Sequence, residues 1–189
     1  NTTGLNVAAT GSTGTVRAID ATGRVNIDNP SSYDINGDHW LWKGPGAVAT
    51  TTMVGNTGNT ANNGVQNTLV GYQAGNANSG GSQNVFIGYI AGLSNTLGAF
   101  NTFVGSSAGS LTTTGASNTM IGELAGYYNT TGGLNTYLGA TAGEHGTTAY
   151  NNTDLGQAAG AAGTSGHDNT LVGFQSAFGM TTGFADVAI

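Results

Sequence analysis

The chain has 189 residues, of which 34 are glycine and none is cysteine, and it carries only 3 Lys or Arg against 9 Asp or Glu, a net charge of −6. The three basic residues, Arg17, Arg24 and Lys43, all lie in the first 43 positions, which disfavours a nucleic-acid or anionic-membrane partner because phosphate neutralisation needs cationic side chains. Without cysteine there is no disulfide framework and no thiolate metal site, and no apolar run in the sequence is long enough to span a bilayer.

Residues 1–50 lack the repeat described below and read as an N-terminal β-hairpin and cap segment. Residues 15–19 and 24–28 alternate apolar and polar side chains, with a turn supplied by Ala21, Thr22 and Gly23. Beyond Pro30, Asn36 and Gly37 signal a second turn, and Trp40 and Trp42 share one face of an extended segment. A solenoid leaves an open apolar end, so this aromatic cluster reads as a cap; a sugar platform is the alternative, and convergent polar partners are missing from it. Asp34, Asn36 and Asp38 imitate the start of a calcium loop, but Gly37 is out of place and Pro45 stands where the loop needs Glu. The start at Asn1, with no charged-then-apolar leader, reads as a mature or excised fragment.

From residue 51 to 189 the chain is organised by a period of seventeen residues. Copies begin at Asn67, Asn84, Asn101, Asn118, Asn135, Asn152 and Asn169, and Asp186 opens an eighth that stops short of its expected glycine, as in a piece cut from a longer array. Residues 51–55 read as a degenerate first copy, sixteen residues ahead of Asn67. A strict period without insertions predicts a parallel β-solenoid, or β-roll, in which each repeat is one coil. About eight coils rising about 4.8 Å each give a rod of roughly 40 Å.

The fourth position of the repeat holds Val70, Ile87, Val104, Ile121, Leu138, Leu155 and Val172. Its constant size predicts the core ladder of a narrow roll, with the alanines of the eighth position, Ala74 through Ala159, as the opposite wall. Glycine columns after the aliphatic residue, after the alanine and three residues before the asparagine predict positive φ or close backbone approach; Ala149 is the one gap in the last of them. The asparagine column predicts amide ladders along the stack.

The third position holds Leu69, Phe86, Phe103, Met120, Tyr137, Asp154 and Leu171. Neighbouring strand residues face opposite ways, so with the fourth position inside, the third is expected outside. An exposed apolar stripe asks for cover, which assigns this column to an interface between copies of the chain. Asp154, its one charged member, is expected at a solvated gap or beside an ion.

The repeat Asn-Thr-x-[Val/Ile/Leu]-Gly-x-x-Ala-Gly resembles the head β-rolls of trimeric autotransporter adhesins. It is closer to the repeat tracts of phage tail-fibre-like and bacterial surface proteins that often precede an endosialidase-type intramolecular chaperone. The segment from Tyr33 to Trp42 is similar to the one leading into such tracts, and the likeness covers residues 31–189. The repeat is longer than the autotransporter one, and neither a heptad stalk nor a chaperone domain is present in these residues. The resemblance implies a left-handed homotrimeric β-roll, extracellular or virion-borne, serving as a fibre or adhesin that attaches to a cell-surface glycan or protein receptor, with no cofactor.

Catalysis is not expected. Glu144 with His145 and His167 with Asp168 replace ordinary loop residues, and no pair recurs that sets a nucleophile beside a base. A polysaccharide depolymerase would need two carboxylates at glycosidase spacing in a groove. Ice binding is a further alternative, for which Thr68, Thr102, Thr119, Thr136, Thr153 and Thr170 offer a hydroxyl ladder that Val85 interrupts.

Overall fold

A computed structural model describes residues 51–55 and 64–189 fully, and towards the N terminus the backbone of four short strands. Strands β1 (Val16–Arg17) and β2 (Asn26–Ile27) pair antiparallel, as the alternation of the two segments predicts. The turns at 21–23 and 36–37 and the side chains of Trp40, Trp42 and the calcium-like turn lie outside the described residues.

The rest is one eleven-stranded sheet. Strands β3 (Ser32–Ile35) and β4 (Asp38–Trp42) form an antiparallel hairpin with an irregularity between Tyr33 and Asp34, and β4 pairs antiparallel with β5 (Thr52–Val54). From β5 onward all pairing is parallel, through β6 (Thr68–Val70), β7 (Val85–Ile87), β8 (Thr102–Val104), β9 (Thr119–Ile121), β10 (Thr136–Leu138), β11 (Thr153–Leu155), β12 (Thr170–Val172) and β13 (Val187–Ala188). These nine parallel strands make a β-solenoid of about eight turns. Register is in phase with the repeat, Phe86 opposite Phe103 and Phe103 opposite Met120; at the first turn Thr52 pairs with Thr68, sixteen residues on.

The core is the reverse of the expected one. Leu69, Phe86, Phe103, Met120, Tyr137, Asp154 and Leu171 are buried inside the roll, so the third position is the core column and not an interface. Val70, Ile87, Val104, Ile121, Leu138, Leu155 and Val172 lie on the outside, half-buried or exposed, with Ile87 37% and Leu138 47% accessible. The reason is the opposite wall. Alanine at the eighth position and glycine at the ninth leave a hollow that only a large side chain fills: a Cβ on Gly92 would lie 2.8 Å from the Phe86 ring, and one on Gly109 2.5 Å from that of Phe103. Rings therefore stack along the axis, Phe86 on Phe103 at 4.9 Å between centroids and 13° between planes. The alanines are inside as expected, Ala74, Ala91, Ala108, Ala125 and Ala142 packing against the large column.

Both reasons for glycine hold. Gly105 has φ 140° and a Cβ there would sit 2.4 Å from the Gly122 carbonyl oxygen. Gly98 has no left-handed backbone, but its Cβ would meet Asn95 Oδ1 at 2.3 Å and the Gly115 oxygen at 2.4 Å.

The asparagine column forms the ladder its regularity predicts. Asn118 Nδ2 donates to the Gly132 oxygen at 2.9 Å, and Asn118 Oδ1 accepts from the backbone N–H of Asn135 at 3.0 Å. The same pair of bonds recurs from Asn67 to Asn169, and Asp186 N–H closes the last step on Asn169 Oδ1 at 3.0 Å. Backbone groups at the bend of each coil are thereby satisfied in a buried setting, where an orphan would cost about 1–3 kcal/mol.

Candidate functional site: the outer sheet face and the coil edges

With the third position inside, the second and fourth positions both point outward from each three-residue strand. One face of the rod therefore carries two files, Thr68, Thr102, Thr119, Thr136, Thr153 and Thr170 with Val85 among them, beside the aliphatic file from Val70 to Val172. Neighbours within a file are about 4.8 Å apart and the two files about 6.6 Å apart, by strand geometry. No charged residue stands in either file. The Thr-x-Val/Ile/Leu spacing was readable in the sequence as a strand presenting both residues to one side; with the interior assigned to the fourth position, that face was missed.

Asp154 is in the core, 3% exposed, between Tyr137 and Leu171 in the stack. Its surroundings follow from the twelfth position, where earlier coils place Asn78, Asn95, Thr112 and Asn129 in the interior and the next two have Gly146 and Gly163. In its own coil Tyr137 reaches into the room left at Gly146, its hydroxyl 3.0 Å from where a Cβ would stand. Asp154 is too short to do the same above Gly163, and a cavity of about 10 Å³ remains, lined by Tyr137, Asn152, Asp154, Gly163 and Asn169 among others. That volume is on the order of one water molecule. Asp154 Oδ1 has no hydrogen-bond partner, and burial pushes its pKa from 3.8 up to about 7. The same burial, and then the Asp154 charge, raises the Tyr137 phenol, which a hydrogen bond with Asn152 partly offsets. Asp154 thus lies in neither a wet interface nor a charge cluster; it is a buried acid that the fold tolerates best when protonated.

The remaining chemistry-bearing pairs are at coil edges. His145 stacks on Tyr128 at 4.9 Å, and its Nδ1 is 2.9 Å from the Ala161 oxygen. His167 Nδ1 is 2.9 Å from Asp168 Oδ2. Among the described residues no group of three His, Asp or Glu could hold a metal ion, and no helix is long and apolar enough to cross a membrane. No family model matches the sequence, and no curated protein and no solved structure matches it.

Proposed function

We propose that this chain is a structural segment of an extracellular fibre or adhesin, of the phage tail-fibre and bacterial surface type its repeat resembles, mediating attachment as a non-catalytic, left-handed homotrimeric β-roll. One observation carries the reading: an uncharged outer face with an aliphatic residue in every coil that is half-buried or exposed, Ile87, Ile121 and Leu138 being the exposed ones. Such a stripe calls for cover, and an identical stripe on a second copy matches it coil for coil. The contact therefore belongs to the fourth-position file, with the threonine file at its rim. The antiparallel hairpin β3–β4, joined to the first parallel strand through β4, suits a cap that ends the sheet.

Light scattering of the purified chain tests the assembly. A trimer is expected, and Ile121→Asp with Leu138→Asp should dissociate it while the far-UV signal stays intact; a monodisperse monomer at micromolar concentration overturns the reading. A second reading, ice binding, is favoured by the threonine and aliphatic files sharing one regular face. Thermal hysteresis that Thr119→Asp abolishes would select it over assembly.

A further inference from the structure

The two residues before the ladder asparagine change character towards the end of the array. Position sixteen holds Val65, Ser82, Ala99, Ala116 and Gly133 in earlier coils, then Tyr150, His167 and Phe184. Parallel bridges join Tyr150 to His167 and His167 to Phe184, so the three residues form one file along the rod, with the Tyr150 ring beside Gly133 of the preceding coil. The rings of His167 and Phe184 are 5.5 Å apart and tilted by 38°. All three are open to solvent: Tyr150 is 50% and Phe184 69% exposed, and the His167 side chain 49%.

One residue on, Asn151 and Asp168 adopt left-handed backbone, φ 57° and 60°, a conformation in which Asn and Asp are enriched among non-glycine residues. Asn151 Nδ2 donates to Asp168 Oδ1, and His167 Nδ1 lies 2.9 Å from Oδ2. These two bonds fix the carboxylate beside the rings and hold its pKa below the usual range, the Asn151 bond foremost.

Rings in file with fixed polar groups at their edge are what a sugar requires. The C–H face of a pyranose covers an aromatic ring, and its hydroxyls bond to carboxylate and amide at the side. Coil spacing of about 4.8 Å is close to the length of one residue in an extended, equatorially linked glycan, whose flat ribbon exposes such C–H faces. The absence of Lys and Arg from residue 51 onward, together with the Asp168 carboxylate, selects against uronates and sialic acids.

We propose that Tyr150, His167 and Phe184, with Asn151 and Asp168 at their edge, bind a neutral, equatorially linked glycan lying along the rod axis, one pyranose to each coil. This rests on the attachment half of the proposed function and not on the assembly half. Calorimetric titration and ring-proton shifts of the full chain, whatever its oligomeric state, with cello-, manno- and xylo-oligosaccharides of increasing length test it, with trigalacturonate as the anionic comparison. Affinity should rise several-fold from disaccharide to trisaccharide, and trigalacturonate should bind several-fold more weakly than the neutral trisaccharides. Tyr150→Ala, Phe184→Ala and Asp168→Asn should each weaken binding several-fold at an unchanged melting temperature, since these side chains are exposed. The site is overturned if no neutral series binds, if trigalacturonate binds as tightly, or if binding survives the Tyr150→Ala/Phe184→Ala double variant. A chain that forms trimers yet binds no neutral glycan would sink the site alone; one that binds as a monomer would sink only the assembly.

Discussion

Replacing Asp154 by leucine separates the electrostatic cost of a buried acid from the packing around it. Leucine occupies the same core position at Leu69 and Leu171, so its shape suits the stack. The gap between 3.8 and about 7 corresponds to about 4 kcal/mol, at about 1.4 kcal/mol per pH unit. Because the folded value is the raised one, the stability that Asp154 contributes is fully present below pH 3.8, is lost as pH climbs, and levels off above about pH 7. Asp154→Leu removes that fall and adds about 2 kcal/mol of apolar burial at every pH. Above pH 7 the variant should therefore exceed the parent by about 6 kcal/mol, and in acid by only about 2 kcal/mol. The pH-dependent part alone is a difference of roughly 8–16 °C in melting temperature for a chain of this size. Thermal unfolding followed by far-UV circular dichroism across this pH range measures it. Tyr137 is the only other titratable group lining the cavity, and its phenol stays protonated throughout. A gap between variant and parent that does not widen between pH 3.8 and 7 would refute the buried acid.

Five further substitutions, at four positions, probe the interior, each read by chemical unfolding. Phe103→Ala, from the centre of the ring stack, should cost about 3–5 kcal/mol, and Phe103→Asp should unfold the roll instead of merely dissociating an assembly. Asn118→Ala strands the Asn135 N–H and takes from the Gly132 oxygen one of its two donors, leaving Asn129 Nδ2, and should cost about 1–3 kcal/mol from one orphaned buried group; no measurable loss would mean water reaches the bend. Gly98→Ala should cost more than about 3 kcal/mol, because Asn95 Oδ1 and a backbone oxygen lie within 2.4 Å of the new Cβ. Gly166→Ala, at the same repeat position but with Gly163 in place of that asparagine and nothing nearer than 3.0 Å, should cost under about 1 kcal/mol.

Period, parallel stacking, in-phase register and the asparagine ladder were legible because each depends only on spacing. Which of two adjacent apolar columns faces inward was not. Both are hydrophobic apart from Asp154, and constant size at the fourth position suggested a narrow interior; size alone does not distinguish a core column from the outward file of a uniform sheet face. The missed signal was complementarity across the coil. Six alanines at one position and glycine beside each state that the facing wall is thin, so the interior must be filled from the strand by the larger column. Position twelve carries the same message in finer form: Tyr137 goes with Gly146, and the gap in the glycine column at Ala149 falls in that same coil, where Gly146 replaces the asparagine whose Oδ1 lies 2.3 Å from a Cβ at Gly98 and at Gly132. Asp154 is expected outside only because its whole column is, once the fourth position is assigned to the interior. The edge aromatics were visible as a break in the pattern, but only the parallel bridges show that Tyr150, His167 and Phe184 share one file.

Turning the core around also changes what an assembly would be for. A roll filled by one valine and one alanine per coil would bury too little to offset the ordering of seventeen residues, and a protomer built that way would depend on its partners to fold. With Phe86, Phe103, Met120 and Tyr137 inside and the asparagine ladder beside them, each of these coils has its own apolar filling and its own hydrogen-bonded bend. The outer face is then free of any duty to the interior, and its threonine and aliphatic files can be altered without unfolding the rod. That independence is why Ile121→Asp and Leu138→Asp are informative: loss of the assembly with loss of the fold would restore an obligate interface, whereas loss of the assembly alone identifies a self-sufficient protomer whose partners cover a surface.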